Sequence, residues 1–80
     1  MSQDEPANNV RPGHYRVIGT DTFPWPNEDY HVGDYRTLSA AKRAGQKERQ
    51  EMTVIRIYDS SGTLVASASG PGNEWDDQDK

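Results

Sequence analysis

Residues 53–68, "TVIRIYDSSGTLVASA", contain the strongest structural signal in the chain. The two outer runs, "TVIRIY" and "TLVASA", carry the β-branched and apolar residues that favour strands. Between them, Asp59 can accept hydrogen bonds from its own backbone two residues on, and Gly62 can adopt a positive φ. The stretch therefore predicts a β-hairpin with a loop of roughly three to five residues. The side chains expected to meet across this hairpin are Ile55, Ile57, Leu64, Ala66 and Ala68.

The period changes upstream of the hairpin, in residues 37–52, "TLSAAKRAGQKERQEM". Thr37 or Ser39 can cap a helix by accepting backbone N–H groups. Small residues recur there at helical spacing and would let a helix lie close to a sheet; they are Ala41, Ala44 and Gly45. Because Gly45 costs about 1 kcal/mol relative to alanine in a helix interior, the helix predicted over residues 37–51 depends on its packing against the sheet.

Two shorter runs, residues 14–23 ("HYRVIGTDTF") and 29–35 ("DYHVGDY"), have the alternation and composition of strands. Between them, "PWPNE" ends the first run, because proline cannot donate a hydrogen bond to a ladder. In the second run, alternation predicts Tyr30 and Val32 on one face and His31 and Tyr35 on the other. Gly33 is a position where a bulge would fit.

The order strand, strand, helix, strand, strand predicts the α+β class: a four-stranded, mainly antiparallel ββαββ sheet with one helix packed on one face. The predicted domain covers residues 14–68. Apolar residues are scarce on either side of it, so we expect a flexible N-terminal segment at residues 1–13 and a flexible acidic tail at residues 69–80. The second sheet face, with residues such as Ile18 and Tyr58, is left for the tails or a second subunit to cover. The acidic tail either aids solubility or contacts the basic helix.

Composition limits the classes of function. The chain has 80 residues, a net charge of −4 and no cysteine, which allows one domain and excludes disulfides and thiolate zinc sites. No apolar stretch has the length of a membrane span or a signal peptide. We therefore expect a cytoplasmic protein without a membrane partner. The acidic balance argues against general nucleic-acid binding.

The layout resembles small uncharacterised bacterial ββαββ domains, whose helix begins with T-x-x-x-A and whose second hairpin carries D-x-x-G-x-x. The matching stretches are "TLSAA", residues 37–41, and "DSSGTL", residues 59–64. The resemblance covers residues 14–68 and implies the fold through a helix cap and a turn. It implies no catalytic residue and no cofactor, because both motifs are structural.

The chain offers few candidates for catalytic residues or metal ligands. The histidines are His14 and His31, and the candidate nucleophiles are serines at turns and at the helix start: Ser39, Ser60 and Ser61. A triad needs a serine, a histidine and a carboxylate together, and no nucleophile-elbow or phosphate-binding motif is present. Asp29 and His31 share a strand face, where a neighbour such as Glu28 or Asp34 would complete a weak cation site. We expect no enzyme activity, no catalytic residue, no cofactor and no resident metal, because a domain this small has little pocket volume.

The broadest interpretation is a protein-interaction or assembly module. Trp25 lies between Pro24 and Pro26, which lowers the entropy lost on binding, and tryptophan and tyrosine dominate interface hot spots. Alternatively, Phe23 and Trp25 fold back as a lid over the open sheet edge. The candidate protein-binding residues are Trp25, Tyr30, Tyr58 and Ile18. The partner is another protein or a second copy, with a homodimer formed through the uncovered sheet face or an edge strand.

The alternative is a nucleic-acid-associated protein. Its candidate residues are the basic positions of the helix segment, Lys42, Arg43, Lys47 and Arg49. Sheet tyrosines would serve as stacking platforms for bases. Against this, Glu48 and Glu51 lie in the same segment, and a helix of mixed charge is more often a solvated face. Salt-dependent retention on a polyanion column would favour nucleic acid, whereas a salt-insensitive dimer mass would favour self-association.

Overall fold

One helix and one antiparallel sheet make up the fold. The computed structural model describes residues 12–23 and 27–77. The elements are β1 (Tyr15–Asp21), β2 (Glu28–Tyr35), α1 (Leu38–Gln46), β3 (Thr53–Tyr58), β4 (Leu64–Ser69) and β5 (Asp76–Asp77). The strands pair antiparallel in the order β2-β1-β3-β4-β5. The α+β class and the ββαββ order of the first five elements confirm the prediction, and the fifth strand is an addition to it.

The predicted hairpin is formed by β3 and β4, with a loop at residues 59–63. A carboxylate oxygen of Asp59 accepts hydrogen bonds from the backbone nitrogens of Ser61 and Thr63, at 2.9 and 3.0 Å. Gly62 has a φ of +85°, which residues with a Cβ rarely adopt. The loop is therefore closed by the two features that "DSSG" predicts, the hydrogen bonds of Asp59 and the positive φ of Gly62.

The helix is shorter than predicted. Thr37 caps α1, since its hydroxyl accepts a backbone N–H of the first turn at 3.0 Å, but the helix ends at Gln46 rather than at residue 51. The N–H groups of residues 48 and 49 bond to carbonyls three residues back, and such tighter turns are common where a helix ends. Lys47 and Arg49 therefore lie beyond the helix. No helix within the described residues has the length and apolar character needed to cross a membrane.

Bulges in both hairpins change which side chains share a face. In β2 the register shifts at Val32, so Tyr35 joins Tyr30 on the face that packs against α1 instead of joining His31. In β4 a similar shift places Ala66 and Ala68 on the face that packs against α1, whereas Leu64 lies on the opposite face beside Tyr58. The predicted alternation fails at these points because a bulge adds one residue to a period of two.

The core lies between α1 and one face of the sheet, here called the helix face. Its fully buried members are Val17, Ala41, Ile55, Ile57 and Ala66. The small residues of α1 allow the predicted close approach: a Cβ added to Gly45 would lie 2.9 Å from the Ile55 side chain. α1 lies over β1 and β2 and touches β3.

Residues 70–77, here called the C-terminal segment, differ from the predicted tail. Trp75 packs against the core, and its ring lies 3.0 Å from the place of a Cβ on Gly45. Asp76 and Asp77 form β5 along β4. The prediction that the chain leaves the sheet after Ser69 is wrong for these residues, because one nine-residue helix leaves core surface that Trp75 covers. Residues 78–80 lie outside the described residues.

Candidate functional site

The two sides of α1 meet the two halves of the sheet differently. The helix residues buried against the sheet are Ala41 and Gly45. On one side of them, Lys42 and Gln46 reach the C-terminal segment next to β4; this side is called the β4 flank. On the other side, Ala40 and Ala44 face β2; this side is called the β2 flank.

The β4 flank is filled by the C-terminal segment. Lys42 Nζ donates to a carboxylate oxygen of Asp77 at 2.6 Å. The indole Nε1–H of Trp75 donates to Gln46 Oε1 at 2.9 Å. An ion pair and an anchored ring thus hold the segment along the helix, which is the contact between acidic tail and basic helix that the sequence left open.

Arg49 fixes the same segment from beyond the helix end. Its guanidinium donates to the carbonyl oxygens of Gly70 at 3.0 Å and of Glu74 at 2.8 Å. The same group lies 5.7 Å from the ring centroid of Trp75. A guanidinium presents five N–H donors in a planar fork, so it can serve several carbonyls and a ring face at once.

We expect Arg49→Lys to lower the free energy of unfolding by about 1–2 kcal/mol, because lysine keeps the charge but loses the fork. Urea denaturation followed by circular dichroism measures the change. The matched control is Arg43→Lys on the β2 flank, which should stay within about 0.5 kcal/mol of the parent chain. Equal effects of the two substitutions would contradict the role given to Arg49.

On the β2 flank, α1 and β2 enclose an open groove of about 390 Å³. Four of its seven described lining residues are small or apolar: Val32, Tyr35, Ala40 and Ala44. Arg43, Lys47 and Glu48 also line it. Arg43 and Lys47 are exposed and form no ion pair with any residue in the described ranges. The groove therefore combines apolar walls with two cations that have no acidic partner in the described structure.

The groove runs beside a free strand edge. Within the part of the chain that the structure describes, β2 pairs with β1 and with no other strand. β2 has eight residues, whereas β5 at the opposite edge has two. A strand edge presents a row of backbone N–H and C=O groups and is a template for pairing with another chain. β2 is thus the long edge of this sheet.

The sheet face opposite α1, called the open face, carries a polar ladder. The Arg16 guanidinium donates to both carboxylate oxygens of Asp34 at 2.7 Å, and His31 Nε2 lies 2.9 Å from the same carboxylate. Beside them, Thr20 donates to Asp29 at 2.7 Å. The hydrogen bond from Arg16 is the main reason that the pKa of Asp34 lies well below its ordinary value of 3.8, although partial burial acts the other way.

We expect Asp34→Asn to lower the free energy of unfolding by about 1–2 kcal/mol at neutral pH, because it removes a bidentate, charge-assisted pair. A carboxylate whose pKa falls on folding stabilises the fold above its unfolded-state pKa, and that contribution is lost as the pH falls further. The gap between parent and variant should therefore be constant above about pH 5 and narrow below about pH 4. Urea denaturation across this range measures it, with the exposed Asp76→Asn as control. A gap that does not change with pH would contradict the account.

The four predicted protein-binding residues do not share one surface. Ile18 and Tyr58 lie on the open face, but Ile18 is only 5% exposed and offers little contact area. Tyr30 lies on the helix face with its ring across Gly19, and burial raises its pKa. Trp25 lies outside the described residues, so its role as lid or contact stays a prediction.

The four predicted nucleic-acid-binding residues are divided between the two flanks of α1. Lys42 and Arg49 hold the C-terminal segment, whereas Arg43 and Lys47 line the groove. The sheet tyrosines on the helix face are Tyr15, Tyr30 and Tyr35. Tyr58 lies on the open face, whereas Tyr35 lines the groove with Arg43 and Lys47. The structure therefore brings two of the four predicted cations to one of the sheet tyrosines.

The residues weighed for catalysis occupy different elements, whereas two of those weighed for a cation, His31 and Asp34, are in contact. His14 precedes β1, with its Nδ1 3.2 Å from the Pro12 carbonyl, while His31 contacts Asp34. The Ser61 hydroxyl donates to Asp59 within the hairpin loop. In residues 12–23 and 27–77, no group of three or more histidine, aspartate or glutamate side chains is arranged to hold a metal ion.

The groove is not among the sites predicted from the sequence. Its signal is a second stripe of the helix segment, in which Ala40, Ala44 and Lys47 recur at steps of four and three residues. This stripe lies next to the buried one that contains Ala41 and Gly45. Finding the site also requires knowing that β2 is an edge strand, which no local pattern shows.

Comparison with known proteins adds no relative. No family model matches the sequence, and no curated protein and no solved structure matches it either. The resemblance to bacterial ββαββ domains stays a prediction.

Proposed function

We propose that this chain is a non-catalytic, cytoplasmic interaction module that binds an extended segment of a partner protein at the free edge of β2. The segment adds a strand beside β2 and directs alternate side chains into the groove next to α1. In strand addition, main-chain hydrogen bonds supply affinity and side-chain pockets supply specificity.

The observation that carries the proposal is the coincidence of a long strand edge and a groove that runs beside it. A bare edge offers main-chain hydrogen bonds without selectivity, and a groove without a free edge offers no main-chain partner. Edge strands are usually blunted by charges and bulges. β2 carries both, with acids at Glu28, Asp29 and Asp34 and the bulge at Val32, which restricts the strands that can pair with it.

Charge favours a different chain over a second copy as the partner. Because Val32 bulges out of the ladder, two copies of β2 paired about a two-fold axis at His31 would place Asp29 opposite Asp34. Like charges directly opposite each other in a sheet are destabilising. We therefore expect light scattering to give the monomer mass of 9.0 kDa, and a stable dimer would favour the self-association alternative.

Synthetic octapeptides test strand addition. In each peptide four threonines alternate with the residues Leu, X, Leu and X, where X is Gln, Glu or Lys. Fluorescence anisotropy measures the binding of each peptide. The tightest binder is then made with N-methyl groups on either its odd or its even residues. An added strand turns only one of these two sets of nitrogens towards β2, so we expect one methylated peptide to bind and the other to lose binding. Failure of all three peptides, or equal effects of the two methylation patterns, would refute the proposal.

A further inference from the structure

The β4 flank shows how this helix holds an acidic strand at a sheet edge. There, β5 pairs with β4, and Lys42 forms an ion pair with Asp77 at 2.6 Å. Trp75 of the same segment supplies an apolar anchor beside Gly45. On this flank a basic side chain of α1 thus pairs with an acid, and a small helix residue leaves room for an aromatic ring.

The β2 flank repeats these parts without a described segment to fill them. Arg43 and Lys47 provide the cations, and Ala40 and Ala44 leave the space that an apolar side chain would occupy. The charge of the groove is net positive, because Glu48 is the one acid among its described lining residues. Two of the β2 acids, Asp29 and Asp34, bond across the ladder to Thr20 and Arg16 on the open face, away from the groove. The third, Glu28, is exposed and is not among the residues that line the groove.

We propose that the partner segment is acidic, with carboxylates for Arg43 and Lys47 and an apolar side chain for the groove between α1 and β2. This inference rests on the proposed function and adds the chemical character of the partner. Charge complementarity supports it, since neither cation has an ion pair within the described residues. The chain's overall charge of −4 would repel an acidic segment. A preference for acidic peptides must therefore come from local contacts.

The test compares the Glu and Lys octapeptides on the full chain. With two exposed ion pairs gained or lost, we expect the Glu peptide to bind about five- to tenfold more tightly at low salt. The double variant Arg43→Gln with Lys47→Gln should bring the two peptides within about twofold. The control double variant, Ser60→Asp with Asn73→Asp, has the same net charge, two units below the parent's −4, at exposed positions outside the groove. It should keep most of the preference.

Each outcome decides between the two proposals. Equal binding of the Glu and Lys peptides, with the methylation pattern intact, would overturn the acidic partner and leave strand addition standing. Tighter binding of the Lys peptide would overturn it as well. Loss of the preference in the control variant would show a long-range charge effect in place of local contacts. Binding by none of the peptides would overturn the proposed function itself.

Discussion

Trp75→Ala should lower the free energy of unfolding by about 3 kcal/mol, a large share of the total for a domain of this size. The substitution empties the space beside Gly45 that the indole ring fills, and it removes the hydrogen bond to Gln46. It also takes the ring from beneath the Arg49 guanidinium, a contact of about 0.5–1 kcal/mol at such sites. Urea denaturation followed by far-ultraviolet circular dichroism measures the loss.

The control for Trp75 is Phe23→Ala, since Phe23 is 70% exposed. An exposed aromatic ring that packs on little should cost less than about 0.5 kcal/mol when truncated. If Trp75→Ala were as mild as Phe23→Ala, the C-terminal segment would not belong to the core. The account of the β4 flank would then fail.

Gly45→Val should cost about 2–3 kcal/mol through overpacking. A Cβ at this position would lie 2.9 Å from Ile55 and 3.0 Å from the Trp75 ring, and valine adds two further methyl groups. The same substitution in the Trp75→Ala background should cost less, because removal of the indole opens space on one side. This coupling, measured by a double-mutant cycle, separates overpacking from a general effect on the helix.

Ala44→Val is the matched control for Gly45→Val. It introduces the same side chain one residue earlier in α1, at a half-buried position beside the groove. Its expected cost is about 0.5 kcal/mol, which is the difference in helix propensity between alanine and valine. Equal costs at the two positions would mean that α1 does not approach the sheet as closely at Gly45 as described.

The hairpin and the helix start could be predicted because their causes are local. The carboxylate of Asp59 bonds backbone groups two and four residues on, and Thr37 caps a nitrogen three residues on. Such contacts depend on side-chain chemistry within one turn. The end of the helix could not be predicted in this way. Residues 47–51 have helix-forming character but lie outside the helix, where Arg49 binds carbonyls more than 20 residues away.

The C-terminal segment could not be predicted because its causes are long-range. Its composition of glycine, proline and acids indicates disorder on average. One ring changes the outcome, since Trp75 finds a partner 29 residues away at Gln46 and a place on the core. No period within "GPGNEWDD" marks that contact.

The groove required the strand order, which no local pattern supplies. After α1 the chain returns to the far side of β1, where β3 pairs with it, and this leaves β2 at the edge. A return to the side of β2 would have covered the same residues with β3. The sequence could therefore show that Arg43 and Lys47 are basic and close together, but not that they border a free strand.

The most direct test of the central claim is an NMR titration of the ¹⁵N-labelled chain with the unmethylated octapeptide that binds most tightly. If a partner strand adds to β2, chemical-shift changes should concentrate in β2 and on the Ala40–Ala44 side of α1. Amide exchange should also slow at β2 nitrogens that do not donate to β1. Changes centred on Ile18, Arg56 and Tyr58 of the open face, or no change in β2, would contradict the account.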